Sequence, residues 1–441
     1  MTPPYADLPQ LYDVYLRHPR VSIDSRKVST DGLFVALRGQ ADGNQYAEKA
    51  LAAGAAYAIV DNPAVVPAGG DDRYLLVEDS LQALQGLARR HRDAFRMPVF
   101  AITGSNGKTT TKELIAAVMS RQYRVHATPG NYNNHIGLPL TILGMPTGTE
   151  FLILEMGANH QGEIAELCAI GRPTHGLITN IGEAHLEGFG GKEGVKKGKG
   201  ELYDFLRRTG GVAFVNTDET DLPDMAASLP RQIPYFVSAA PSPTVAGLEI
   251  QQRALHPFVR VGFLTEAREL IATDTRLAGV HNLQNIKSAI AVGKYFKVPG
   301  ALIAAALADY RPANHRSQWM THRGVTFYWD AYNANPSSVV AALNGFAADC
   351  PPQDGVIVLG EMLELGEAAP AAHRRVVLRA GQVARTVLLV GHEMQDVARE
   401  FDRPHFADSM ALAAWFWAQD WSDRKVFVKG SRGNRLERLL D

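Results

Sequence analysis

Read for its apolar and polar positions, the chain repeats one unit: a short apolar run rich in β-branched residues, a polar or glycine-bearing turn, then a helix-length segment. PVFAITG (98–104), FLILEMG (151–157), HGLITNIG (175–182) and GVAFVN (211–216) read as buried strands, and KTTTKELIAAVMSRQ after the first of them as a helix. A second series follows, TFYWDAYN (326–333), GVIVLGEM (355–362), TVLLVGHEM (386–394) and KVFVKGS (425–431), interleaved with Ala-rich helical stretches such as SSVVAALNGFAA. The first hundred residues hold a smaller set, with SIDSRKV and GLFVAL as strands and AEKALAAGA as a helix ending on glycine. Apolar strands alternating with helices predict parallel sheets covered by helices, so the fold class is α/β. Prolines after the basic helix RRHRDAFR and after Tyr310 divide the chain into three domains. Residues 1–96 form a small N-terminal α/β domain, 97–310 a central nucleotide-type sheet domain, and 311–441 a C-terminal doubly wound, Rossmann-like domain.

Composition narrows the picture. A chain of 441 residues exceeds one ordinary core, and 46% apolar with 21% charged residues describes a globular protein. Lys plus Arg (45) against Asp plus Glu (46) leaves a formal charge of −1, so the basic field expected of a nucleic-acid binder is missing. The N-terminal MTPPYADLPQLYDVYLRHPR carries charges and prolines where a signal peptide needs an apolar stretch, and no 18-residue apolar run occurs. A cytoplasmic protein without membrane insertion is expected. Cys168 and Cys350 lie in apolar contexts without a CxxC partner and read as buried free thiols.

The segment Thr103-Gly104-Ser105-Asn106-Gly107-Lys108-Thr109-Thr110 joins a buried strand to a helix. Such a loop aims backbone N–H groups and a helix N-terminus at an anion; Lys108 supplies a mobile charge for phosphates, and the Thr109 hydroxyl can ligate Mg²⁺. It reads as an ATP site, although the usual Walker spacing would put its first glycine on Ile102. Glu155 closes FLILEMG at the strand edge that faces ligands in α/β folds, positioned to hold a metal beside Thr109. HGLITNIG runs on to His185 at the same edge, and Lys196, Lys197 and Lys199 enter a helix, where lysines taken alone form a solvated face.

Together with TGSNGKTTTKE, the segments GNYNNHIGLPLTIL (130–143), LEMGANHQGEIAELC (154–168), TNIGEAHLEGFG (179–190), KGKGELY (197–203), GVHNLQNIKSAIAV (279–292), DAYNANPSS (330–338), LGEMLELGE (359–367) and VKGSRG (428–433) closely resemble the Mur ligase family. The resemblance spans nearly the whole chain in order. It implies catalytic roles for Lys108, His185, Lys199 and Arg316, and nucleotide contacts from Gly104 to Thr110, Asn282, Asn285, Arg316 and Asp330. It implies metal binding by Thr109, Glu155, His185 and Lys199, the last aligning with a lysine that in many members carries a carbamate. Substrate contacts are implied for Asp24, Ser25, Arg26, Asp42, Gly43, Asn133, Asn134, Asn333 and Asn335. Two departures from the family pattern stand out: Trp329-Asp330-Ala331 replaces two acids and a serine, and Asn44 replaces a histidine.

The implied activity is an ATP-dependent amide ligase, using two Mg²⁺ ions and an acyl phosphate to join D-alanyl-D-alanine to a UDP-N-acetylmuramoyl-tripeptide, as a cytoplasmic monomer. Because Arg316 and the phosphate loop fall in different domains, the C-terminal domain must close on the central one. The alternatives are a sister ligase adding a single amino acid and a nucleotide-gated ATPase or binding protein.

Overall fold

A computed structural model describes residues 5–238, 248–256, 258–312 and 317–441. Three sheets follow one another along the chain. The first is all parallel, β1 (Val21–Ser22), β2 (Leu33–Val35), β3 (Tyr57–Val60) and β4 (Tyr74–Leu76), in that order. The second has nine strands: β5 (Val99–Thr103), β6 (Val125–Ala127), β7 (Phe151–Glu155), β8 (His175–Ile178), β9 (Val212–Asn216), β10 (Gln232–Ser238), β11 (Leu248–Ala254), β12 (Arg260–Leu264) and β13 (Leu270–Asp274). Their spatial order is 13-12-11-10-9-8-5-7-6, which places β5 between β7 and β8. The third contains β14 (Gln318–His322), β15 (Val325–Trp329), β16 (Gly355–Gly360), β17 (Thr386–Val390), β18 (His405–Phe406) and β19 (Lys425–Lys429), ordered 14-15-19-16-17-18.

Side-chain alternation assigns each sheet its faces. In β5, Val99 and Ala101 join one core while Phe100 and Ile102 join another, and β7 splits the same way between Leu152 and Leu154 on one side and Phe151 and Ile153 on the other. In the third sheet Phe327 and Val358 face one core, and Tyr328 and Ile357 the opposite one. Helices Pro336–Asp349 and Ala369–Val383 cover one face and Ser409–Phe416 the other, a doubly wound arrangement.

Two sequence expectations are corrected. Of SIDSRKV only Ser22 pairs, together with the preceding Val21, because the Asp24 carboxylate accepts the Arg26 backbone N–H and turns the chain. The sheets are also not purely parallel: β11, β12 and β13 pair antiparallel, as does β14 with β15. The β12–β13 connection is a short polar turn, too short for the crossover a parallel pair needs.

The N-terminal and central sheets share one core. Leu11, Leu33, Ile59, Leu84 and Leu87 pack with Leu138, Ile142 and Leu154, and the Tyr15 hydroxyl donates to the Leu143 carbonyl at 2.8 Å. The basic helix end is part of this joint: Arg92 is buried and donates to the carbonyls of Gly171, Arg172 and Phe95. Among the described residues, the C-terminal core takes only Ala278, with Phe258 and Leu186 at its margin, from the central unit. Both cysteines are buried and free. No helix among the described residues is long and apolar enough to cross a membrane.

Candidate active site

The phosphate loop leaves β5 and enters helix Lys108–Met119. Gly104 (φ +137°) and Gly107 (φ +78°) adopt backbone conformations that favour glycine. A Cβ on Gly104 would lie 2.0 Å from Thr179 Oγ1, and one on Gly107 2.4 Å from Asn285 Oδ1. The loop is held by the residues after β8: Ser105 N donates to Asn180 O (3.0 Å), Asn106 N to Asn180 Oδ1 (3.0 Å), and Thr179 Oγ1 to Asn106 O (2.6 Å). Lys108 curls back over the loop, its ammonium donating to Gly104 O at 2.6 Å and Ser105 O at 3.3 Å. Thr110 follows in the first helical turn.

Glu155 ends β7 and is 2% exposed. Its Oε1 accepts from Thr109 Oγ1 (3.1 Å) and Asn133 Nδ2 (2.8 Å). Oε2 is buried without a hydrogen-bond partner among the described residues, and Lys112 Nζ stands 3.6 Å away. A buried carboxylate oxygen that accepts no hydrogen bond, beside a hydroxyl, suits a cation. Among the described residues no three His, Cys, Asp or Glu side chains converge on one point. That donor set matches Mg²⁺, which takes one or two carboxylates and completes its shell with water and phosphate oxygens.

His185, in the left-handed region (φ +55°), contacts the Glu364 carboxylate from the C-terminal unit. Burial pushes the His185 imidazole below its ordinary range, Glu364 opposes this, and the charges of Lys108 and Lys199 add to it. Lys199 is 1% exposed, donates to Ala158 O at 2.9 Å and lies 4.8 Å from the centre of the Phe189 ring. Burial, then the charge of Lys108, holds its amine well below the usual lysine range. The solvated-face reading therefore fits Lys197, which is exposed, but not Lys199.

The C-terminal unit meets the phosphate loop directly. Asn335 Nδ2 donates to Asn106 Oδ1 (2.7 Å), Asn106 Nδ2 donates to Ser337 Oγ (3.2 Å), and Arg375 bonds Glu183. Asn335 also caps helix Pro336–Asp349 through a capping box with Ser338. A second line of contacts runs from the loop across the seam. Asn285 accepts from Thr111 Oγ1 (3.1 Å) and donates to Asn282 (3.0 Å), beside His281, whose Nε2 lies 2.9 Å from Ser317 Oγ. Ser317 N donates to Asp330, which also pairs with Lys429 at 2.5 Å; Lys429 reaches Asn333 O. Trp329 and Ala331 point into the core on alternate positions, which leaves Asp330 as the polar side chain facing the seam.

The remaining predicted residues are placed as follows. Asn134 Oδ1 accepts from Gly137 N (2.8 Å) where the chain enters helix Gly137–Leu143. Asp24 pairs with Arg26 beside the buried Ser25. Asp42 accepts from Asn44, and a Cβ on Gly43 would lie 2.4 Å from Leu37 O. Asn44 is 1% exposed and bonds Asp42 and Asp61, a bracing role that explains an amide there. Among the described residues no hydrogen bond links this N-terminal set to the phosphate loop. Arg316 lies outside the described residues. Sequence reading assigned nothing to Lys112, Glu364, Asn180 or Ser337.

Family models match three consecutive stretches: "Mur ligase family, catalytic domain" over 19–92, "Mur ligase middle domain" over 102–293, and "Mur ligase, glutamate ligase domain" over 315–432. The UDP-N-acetylmuramoyl-tripeptide–D-alanyl-D-alanine ligase of Bacillus subtilis is 32% identical over 430 residues, covering 95% of this chain and 92% of that relative. The chain belongs to the Mur ligase family. The ligase of the same name from Escherichia coli is 33% identical with the same coverage. Among solved structures, a MurF crystal structure from Acinetobacter baumannii matches with a TM-score of 0.85 at 26% identity, over 99% of this chain and 98% of that one. MurF ligase from Thermotoga maritima in complex with ADP matches at 0.81 and 27% identity, over 97% of each chain. These Mur ligase relatives agree with the α/β architecture, and the Thermotoga maritima structure holds ADP.

Proposed function

We propose that the chain is an ATP-dependent ligase that joins D-alanyl-D-alanine to a UDP-N-acetylmuramoyl-tripeptide, giving the pentapeptide, ADP and phosphate. The relatives' shared name supports the reaction. The observations that support it at the residue level are three: Thr109 donates to Glu155 at the end of β7, the charges of Lys108 and Lys199 bear on His185, and the C-terminal unit touches the phosphate loop.

A carboxylate resists nucleophiles, so the tripeptide's terminal carboxylate must first attack the γ-phosphorus of ATP, expelling ADP and leaving an acyl phosphate. Two anions meet in that step. The Gly104–Gly107 loop and Lys108 would hold the phosphates, and Arg316 would reach the γ-phosphate from the C-terminal side. Thr109 and Glu155, with His185, would hold the Mg²⁺ ions. Mg²⁺ supplies charge neutralisation on the phosphoryl oxygens when bound. The dipeptide's amine then attacks the acyl carbon and phosphate departs. Asn282, Asn285 and Asp330 would border the nucleoside, Asp24 to Arg26 with Asp42 and Gly43 the uridine diphosphate, and Asn133, Asn134, Asn333 and Asn335 the peptide end. Lys199, whose amine burial holds well below the usual lysine range, is suited to add CO₂ and lose a proton, becoming an anionic carbamate; its spectrum with isotope-labelled CO₂ would reveal it.

Phosphate release and product mass, measured with ATP, the UDP-tripeptide and candidate acceptors, test the proposal. Release and pentapeptide formation that require D-alanyl-D-alanine are expected. Equal release without the dipeptide, or a product carrying one amino acid, would overturn it.

A further inference from the structure

Helix Lys108–Met119 carries a second lysine, Lys112, one turn beyond Lys108. It is 4% exposed. Burying an ammonium costs several kcal/mol unless its donors are satisfied and its charge is matched. Both conditions are met from one direction. Its Nζ donates to Thr128 O at 2.9 Å, reaches Gly130 O at 3.5 Å, and faces Glu155 Oε2 at 3.6 Å.

Those carbonyls open the segment 128–136. Thr128 is itself buried, and its Oγ1 accepts the Glu155 N–H at 2.9 Å. Asn131, Tyr132 and Asn134 are exposed, whereas Asn133 turns inward: its amide bonds Glu155 Oε1 and its carbonyl accepts Gly157 N at 2.8 Å. The Asn134 side chain then accepts the N–H of Gly137, the first residue of the next helix, which packs so tightly that a Cβ would lie 2.4 Å from Tyr132 Cα. The segment is thus fastened at its far end by Asn134 and Gly137 and at its near end by Thr128 and Lys112. Its exposed polar rim passes directly beside Glu155.

We propose that Lys112 is a positioning residue: it ties the rim segment 128–136 to the nucleotide helix, so that Asn133 stays on Glu155 and the seat of the reacting carboxylate is fixed relative to ATP. What the tether serves rests on the proposed ligase reaction; the tether itself does not.

Hydrogen exchange of the full-length protein, comparing wild type with Lys112→Met and the milder Lys112→Gln, is the direct test. Amides of 128–137 should exchange roughly tenfold faster in Lys112→Met, less so in Lys112→Gln, with helix Val280–Tyr295 unchanged. Kinetically, KM for the UDP-tripeptide should rise about tenfold while KM for ATP stays within about twofold, and Lys112→Arg should recover most of the loss. Combining Lys112→Met with Asn133→Ala should cost little more than the worse single variant. Unchanged exchange across 128–137, or equal shifts in both KM values, would overturn the proposal and leave Lys112 a merely structural lysine. If Lys112→Met does not fold, Lys112→Gln decides by the same readouts. A wild-type protein that forms no amide would defeat the functional reading alone, since the exchange comparison still judges the tether.

Discussion

Asn106 of the phosphate loop and Asn335 at the cap of helix Pro336–Asp349 share a side-chain hydrogen bond of 2.7 Å, joining that loop to the C-terminal unit. The residue whose backbone N–H lies in the phosphate loop thus also senses whether the C-terminal unit is docked. Asn335→Ser keeps a good cap but cannot reach Asn106. Thermal stability should barely change, while kcat/KM falls by the equivalent of about 1–2 kcal/mol, a factor of roughly 5 to 30. Steady-state kinetics beside a thermal melt will check this, and the loss should not add to that of Asn106→Ala.

Glu155→Gln keeps an oxygen for Thr109 and Asn133 but replaces the bare oxygen with an amide. Turnover should fall by about 100-fold or more. Metal-free nucleotide binding, measured by calorimetry, should survive, and chelation of Mg²⁺ should silence the wild type in the same way.

Three glycines form a graded series. A Cβ on Gly162 (φ +91°) meets nothing within 4 Å, one on Gly107 meets the Asn285 side chain, and one on Gly104 meets Thr179 backbone as well as side chain. Alanine at Gly162 should cost only the left-handed strain of about 1–2 kcal/mol. Alanine at Gly107 should cost more and weaken ATP binding by displacing Asn285, and alanine at Gly104 should be the most damaging. Denaturant midpoints for the three variants give the ranking.

His175, packed edge-on against Tyr295 and Phe296, is pushed down to about 4 by burial, with Arg231 adding to the shift. The unfolded chain takes up its proton near the ordinary histidine value while the folded chain does not. Stability is therefore complete above about pH 6.5 and is lost progressively as pH falls toward 4, by up to about 3 kcal/mol. Urea melts at neutral and mildly acidic pH should show the loss, and His175→Phe should remove much of it.

The sheets and the phosphate loop were legible because their signals are local. Glu155 could be placed at a strand end since FLILE runs apolar until its first charge. Lys199 was harder, because Lys196, Lys197 and Lys199, close together on one helix, look solvated. The available signal was the glycine spacing: a Cβ on Gly194 would lie 1.7 Å from Phe189 O and one on Gly198 2.4 Å from the Phe189 ring, so that face packs inward and carries Lys199 with it. Lys112 and Glu364 had no such marker. Their partners, Thr128 with Glu155 and His185, are distant in sequence and meet them only in the fold. The antiparallel edge β11–β13 escaped because LEIQQRA lacks the apolar run that betrays a buried strand.

The two seams of the molecule differ in kind. Between the first and second sheets the glue is hydrocarbon, which water cannot replace; between the second and third it is amides and ion pairs, for which water is a fair substitute. Swinging motion is therefore expected of the last third of the chain, with the first sheet and the phosphate-loop sheet travelling as a single block.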